Sequence, residues 1–234
     1  MTDESATHRH TSVPVIAIDG PSGTGKGTVA DHVAKSLGFH LLDSGALYRV
    51  LGIAVVKLKV NLQDVEAVAA VARNLDLEFG LNGPGSILLA GEDVSLEIRT
   101  DLGSDMASRV GAIPEAREAL LQRQLAFRKP PGLVADGRDM GTVVFPDSVL
   151  KIYLTASAEE RAKRRYKQLI DKGMDVKLPA LLQDLKERDA RDSERSISPL
   201  KPAADAFVLD TTTLSEKQVK DRVMEMASKA LASA

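Results

Sequence analysis

Five short apolar runs punctuate the chain, at Val15–Asp19, His40–Leu42, Leu133–Asp136, Leu150–Leu154 and Ala206–Asp210. Between most of them apolar residues recur at helical spacing, as at Val29, Val33 and Leu37. Continuous apolar runs of strand length, separated by amphipathic helices, predict a parallel sheet covered on both faces. The fold class expected is therefore α/β, with five strands flanked by helices.

The alternation breaks between the second and third runs. Leu75–Phe79 and Ile87–Ala90 flank Asn82-Gly83-Pro84-Gly85, a strong turn signal, and predict a small antiparallel insertion. Helices are predicted at Leu102–Val110 and at Glu115–Phe127, the latter opening after Ile113-Pro114 and ending before Pro130-Pro131-Gly132. Ser157 followed by Ala158, Glu159 and Glu160 reads as an N-cap with an acidic first turn, opening a helix that runs to about Lys172-Gly173. Ser215-Glu216-Lys217-Gln218 has the form of a capping box, with Val219, Val223, Met226 and Ala230 on one face of a last helix. Residues 1–12 are polar and aperiodic, so a disordered tail is expected there, with His8 and His10 solvated.

Composition narrows the class without choosing the chemistry. With 234 residues, 44% apolar and 27% charged, the chain has the make-up of a globular domain. A net charge of −2 gives no overall attraction to nucleic acid or to an anionic membrane, so neither is expected as a partner. The absence of cysteine excludes disulfides and thiolate metal sites. The N-terminal stretch has no signal-peptide core and no run approaches membrane-spanning length, which leads to the expectation of a cytoplasmic protein.

The first apolar run leads directly into Gly20-Pro21-Ser22-Gly23-Thr24-Gly25-Lys26-Gly27-Thr28. Strand, glycine-rich turn with a lysine, and helix occur in the order a phosphate-binding loop requires. Backbone amides around Gly23 to Gly27 can wrap polyphosphate oxygens, Lys26 adds a positive charge, and the following helix points its positive end inward. The usual Ser or Thr directly after the lysine is Gly27 here, leaving Thr28 as the nearest hydroxyl.

Two other strand ends carry charge. Leu42-Asp43-Ser44-Gly45-Ala46-Leu47-Tyr48-Arg49 passes from strand to helix, where Asp43 or Ser44 can cap the helix or touch a ligand, and Arg49 stands one turn on, placed to hold a phosphate. Leu133-Val134-Ala135 ends in Asp136-Gly137-Arg138-Asp139. An acid there could organise Mg²⁺ through waters while Arg138 neutralises charge on a transferred phosphoryl group, or the segment could be an Asp-turn with a solvated arginine. Finally, Arg161, Arg164 and Arg165 are expected on one helix and Arg188, Arg191 and Arg195 on another, at spacings of three and four. Glu187, Asp189, Asp192 and Glu194 could simply pair with them. Beside a phosphate loop they suggest a mobile lid, with Gly173 giving flexibility at the turn.

The loop at Gly20–Thr28, the segment Leu42–Arg49 and the segment Asp136-Gly137-Arg138-Asp139-Met140-Gly141-Thr142 together resemble the bacterial cytidylate kinase family of nucleoside monophosphate kinases. The likeness extends over nearly the whole chain after residue 13. It is supported by Gly91–Val94, Ile98-Arg99-Thr100, Arg117–Leu121 and Lys186–Arg195. Gly-Lys-Gly-Thr is common in such kinases, so Gly27 ceases to be a defect.

The resemblance implies a P-loop NTPase-type kinase domain over 13–234, with a core at 13–60 and 130–234, an acceptor-binding insertion at about 61–129 and an Arg-rich lid at about 161–178. It implies transfer of the ATP γ-phosphate to CMP or dCMP, with Mg²⁺ required and Thr28 near the metal. Gly20, Pro21, Ser22, Gly23, Thr24, Gly25, Lys26, Gly27, Thr28 and Arg161 would serve ATP. Ser44, Tyr48, Arg49, Ser108, Arg117, Asp136, Arg138, Asp139, Arg188 and Asp192 would serve the acceptor. Lys26, Arg138, Arg188 and Arg195 would be catalytic, cytosine would be read by Ser108, Arg117 and Asp139, and a monomer is expected. Rival readings are a UMP or dTMP kinase, which would keep the loop and change the insertion, and a non-catalytic nucleotide sensor, which would not need Arg138 or the two arginine sets. A regulatory GTPase is disfavoured because no Asn-Lys-x-Asp or Asp-x-x-Gly motif occurs.

Overall fold

The computed structural model describes residues 13–79, 86–171 and 173–233. The N-terminal tail with His8 and His10, the Asn82–Gly85 turn and Lys172 lie outside the described residues. The core opens with β1 (Val15–Asp19), α1 (Lys26–Leu37), β2 (His40–Asp43) and α2 (Ser44–Lys57). Then come α3 (Val65–Arg73), β3 (Leu77–Phe79), β4 (Ile87–Leu89), β5 (Glu92–Asp93), a 3₁₀ turn, α4 (Asp101–Val110) and α5 (Pro114–Leu125). The chain returns through β6 (Leu133–Gly137), a π-helical turn (Met140–Val144), β7 (Leu150–Thr155), α6 (Ala158–Ile170), α7 (Leu178–Ser193), β8 (Phe207–Asp210) and α8 (Glu216–Ala232).

Five strands form one parallel sheet in the order β2-β6-β1-β7-β8. Successive side chains of β1 explain why its run is apolar throughout. Ile16 and Ile18 pack with Val29 and Val33 of α1 and Val219 and Val223 of α8, whereas Val15 and Ala17 pack on the other face with Leu42, Leu47 and Phe145. The short strands β3, β4 and β5 make the expected antiparallel insertion, with Phe79 opposite Ile87.

Helix α2 is apolar on nearly every side because it lies between two cores. Leu47 belongs to the sheet core, while Val50, Ile53 and Val55 join Val68, Ile98, Val110 and Leu120 in the core of the insertion. Helix ends follow their caps: Glu160 N–H donates to Ser157 Oγ at 3.2 Å, and Ser215 and Gln218 form the reciprocal capping box. Helix α6 stops at Ile170, two to three residues short of the sequence expectation. Gly173 takes a left-handed φ of 75° there and donates its N–H to Ile170 O, which closes the helix. No helix among the described residues is long and apolar enough to cross a membrane.

Candidate active site

Strand register gathers the charged strand ends at one edge of the sheet. Asp136 pairs with Asp43 on one side and Ile18 on the other, and Asp19 pairs with Gly137, so three carboxylates and the glycine-rich loop stand at the carboxyl ends of adjacent strands. Gly20 turns the chain out of β1 with a φ of 145°, and a Cβ there would stand 2.0 Å from Leu154 O. Only glycine fits. The Pro21 carbonyl accepts from Lys26 Nζ at 2.7 Å and from Thr24 Oγ1 at 3.1 Å, which folds the loop around its own lysine. Gly25 caps α1 in a left-handed conformation without a capping side chain, leaving the first-turn amides directed at the loop interior. Gly27 lies beside Asp136, whose Oδ2 would be 3.4 Å from a Cβ at that position, an ordinary van der Waals contact. Burial pushes the Lys26 amine down, Arg138 adds to this, and Asp136 opposes it.

Two cavities open on either side of this loop. The larger, of about 870 Å³, runs from Ser22–Gly25 and Thr28 across α6 and α7 to Asp101 and Asp105 of α4. The smaller, of about 320 Å³, is lined by Lys26 and by the strand-end residues. Gly23, Gly25, Thr28 and Arg188 face both. The smaller cavity brings together Ser44, Tyr48, Arg49, Ser108, Arg117, Asp136, Arg138, Asp139, Arg188, Asp192 and Arg195, every residue assigned to the acceptor from sequence and Arg195 besides.

The walls of the smaller cavity are charge-paired. Asp43 caps α2 by accepting from Ala46 N–H at 2.8 Å through Oδ1 and holds Arg49 at 2.8 Å through Oδ2, so capping and electrostatic roles coexist on one carboxylate. Arg117, with its guanidinium 5.4 Å from the Tyr48 ring centroid, pairs with the buried Asp139. Asp192, 1% exposed, is a hub: Oδ1 accepts from Ser108 Oγ at 3.0 Å and from Arg195, and Oδ2 faces Arg138 Nε at 3.2 Å and Arg188 Nε at 4.0 Å. Burial pushes the Asp192 carboxyl up, but Arg138, Arg195 and Arg188 together outweigh it and hold it below the ordinary carboxylate range. Burial and the neighbouring Arg138 push Arg188 down to about 10. The Nε atoms of Arg49, Arg188 and Arg195 are buried without a hydrogen-bond partner.

The late arginines differ from the sequence reading in two respects. Arg195 lies beyond the end of α7, which stops at Ser193, so only Arg188 and Arg191 of that set share a helix. Arg161 lines neither cavity. It is 4% exposed, donating to Ala156 O and Ser22 O at 3.0 Å and pairing with Asp189, so it braces the loop from behind. Of the acidic residues between the arginines, Asp189 and Asp192 pair with them, whereas Glu187 accepts from Gln183 Nε2 at 2.7 Å. Arg165 and Arg191 reach Asp101 and Asp105 of α4, both at 2.8 Å, which ties α6 and α7 to the insertion across the larger cavity.

Two residues were missed. Asp19 accepts from Met140 N–H at 2.9 Å and Gly141 N–H at 2.8 Å, fixing the turn after Arg138 and Asp139; burial pushes its carboxyl up to about 7 against the pull of those amides. An acid closing an apolar strand was its signal. Gln124, 1% exposed, accepts from Ser44 Oγ at 2.7 Å; a glutamine on an amphipathic helix offers no signal.

A model of the cytidylate kinase family matches residues 16–229. The chain belongs to the cytidylate kinase family. Family members are kinases that phosphorylate CMP and dCMP with ATP, and two cavities meeting at one phosphate loop suit a reaction between two nucleotides. The cytidylate kinase of Stutzerimonas stutzeri (strain A1501) is 57% identical over 224 residues, covering 94% of this chain and 98% of that protein. That of Klebsiella pneumoniae (strain 342) is 54% identical over 222 residues, with the same two shares, 94% and 98%.

Proposed function

We propose that this cytidylate kinase family member binds ATP in the larger cavity and CMP or dCMP in the smaller one, and moves the γ-phosphoryl group past Lys26 between them. The observation that carries the reading is that the two cavities share the loop residues and Arg188. An oxygen of the acceptor phosphate, already anionic at neutral pH, attacks the γ-phosphorus; that bond forms as the bond to the β–γ bridging oxygen breaks, and ADP leaves. No general base is needed, and catalysis is alignment plus charge stabilisation. Residues Gly20 to Thr28 cradle the donor phosphates, with Arg161 acting on them through its hold on Ser22. Ser44, Arg49 and Arg138 surround the acceptor phosphate, Arg188 and Arg195 face the charge in flight, and Tyr48 and Asp136 complete the wall. Ser108, Arg117 and Asp139 read cytosine, whose amino group donates to a carboxylate; uracil would present an acceptor to Asp139 instead.

Mg²⁺ fits the donor set without a protein cage. Among the described residues no three acidic, His or Cys side chains gather into a metal site, but the exposed Thr28 hydroxyl and the Asp136 carboxylate supply hard oxygens beside the loop. Thr28 would hold the ion with phosphate oxygens and water, and Asp136 would do so through water. When bound, the ion neutralises phosphate charge.

The insertion at about 61–129 carries Ser108 and Arg117 of the base-reading set, with Asp139 coming from the core, and α6 and the turn to about 178 form a lid that the Arg165 tie to Asp101 closes over ATP. The protein acts as a cytoplasmic monomer. The test is an ATP-coupled assay with CMP, dCMP, UMP, dTMP, AMP and GMP side by side, in which CMP and dCMP turn over best. Arg138→Ala should lower kcat with CMP by about 100-fold or more. A loss under about threefold would end the role given to that arginine.

A further inference from the structure

Ser44 and Tyr48 stand one helical turn apart on α2, and both hydroxyls are turned toward Gln124 of α5. The corner is dry, with Ser44 3% exposed, Tyr48 7% and Gln124 1%. Its hydrogen bonding does not suit a phosphate. Ser44 has a single proton and donates it to Gln124 Oε1 at 2.7 Å, so toward the cavity it offers only lone pairs, while a phosphate dianion only accepts. Meanwhile Tyr48 Oη is buried and makes no well-formed hydrogen bond, although the Gln124 amide stands beside it.

Turning the Gln124 amide over resolves both conflicts. Its Nε2 then donates to Ser44 Oγ and its Oε1 accepts from Tyr48 Oη, so the Ser44 proton points into the cavity. We propose that Gln124 is a positioning residue for the acceptor phosphate: its amide turns over when CMP binds, which releases the Ser44 proton to the phosphate and gives Tyr48 a partner. The inference rests on the reading that Ser44 touches the acceptor phosphate. Tyr48, Arg117, Asp139 and Arg195 are the ionisable groups around this corner. Burial pushes Tyr48 up to about 12, so it stays neutral at ordinary assay pH.

Three variants of the full chain test it: Ser44→Ala, Gln124→Met and the double variant, each assayed with varied CMP at saturating ATP. Methionine keeps the length of the side chain and removes both its donor and its acceptor. Gln124→Met should raise KM for CMP about tenfold with kcat and KM for ATP little changed, and the double variant should be no worse than Ser44→Ala alone. The double variant is the key readout, because a purely structural role for Gln124 would add to the loss of the Ser44 hydroxyl. If Ser44→Ala raises KM but Gln124→Met does not, or if the two effects add, the proposal is overturned while Ser44 keeps its role. If Ser44→Ala leaves KM unchanged, the reading of Ser44 fails and the inference falls with it.

Discussion

Asp192 is one carboxylate set against three guanidiniums, and replacing it by asparagine removes the charge while keeping the shape. Its Oδ2 lies 3.2 Å from Arg138 Nε and 4.0 Å from Arg188 Nε, and its Oδ1 is held by Arg195 and Ser108. A charge pair 4 Å apart is worth about 4 kcal/mol at an effective dielectric constant near 20, before desolvation is subtracted. Removing one partner of such a buried pair has a net cost of about 3–5 kcal/mol, because the remaining charges are left uncompensated. For a chain of 234 residues each kcal/mol lowers Tm by roughly 2–4 °C, so Asp192→Asn should melt roughly 6–20 °C below the wild type. The three arginines would then be short of counter-charge. Inorganic phosphate, which carries the charge and no other part of a nucleotide, should raise the Tm of the variant more than that of the wild type. Thermal melts with and without phosphate read both quantities. A variant melting within about 2 °C of the wild type, or gaining no more from phosphate, would refute the view that Asp192 is the electrostatic keystone of the acceptor cavity.

Three further outcomes follow from the geometry. Because burial and Arg138 lower the Lys26 amine, and ATP phosphates would raise it again, ATP binding at pH 8 should take up protons; calorimetry in buffers of different ionisation enthalpy measures this, and no uptake would contradict it. Asp139→Asn replaces a pure acceptor by a group that also donates, so the preference for CMP over UMP in kcat/KM should fall at least about tenfold, and an unchanged ratio would remove Asp139 from base reading. Gly20→Ala would set a methyl 2.0 Å from Leu154 O at a φ of 145° and should destabilise by more than ~2 kcal/mol; an unmoved urea midpoint would show that the loop can yield.

The sheet was legible because a strand buried on both faces must be apolar throughout, and all five runs became strands with ends shifted by a residue at most. The capping box and the Ser157 cap were legible because capping chemistry is local. What stayed hidden was non-local or polar. Strand β5 consists of Glu92 and Asp93, which no hydrophobic pattern can reveal, and five residues at Met140–Val144 are too few to show a helical period although they wind into a π-helical turn. The amides at that turn are held by Asp19, more than a hundred residues earlier. The arginine sets were visible as charge, but their partners were not: Arg161 finds Asp189 behind the loop, and Arg195 escapes its helix because α7 ends at Ser193. For the candidate acceptor site, resemblance supplied what spacing alone could not, since Ser108 is one serine among many until Asp192 is found beside it.

The double hydrogen bond from Asp19 to Met140 and Gly141 bears on how such an enzyme could be redirected to a new base. Asp19 is the residue immediately before the glycine-rich loop, and the amides it holds immediately follow the segment that carries Arg138 and Asp139. The two halves of the site thus share one mechanical anchor. A graft that exchanges residues 136–142 for those of a kinase with another acceptor would inherit a turn tuned to a different anchor, and any misfit would be felt at the glycine-rich loop as well. Swapping specificity therefore means moving the segment and its carboxylate together, with α5 following because Arg117 pairs with Asp139.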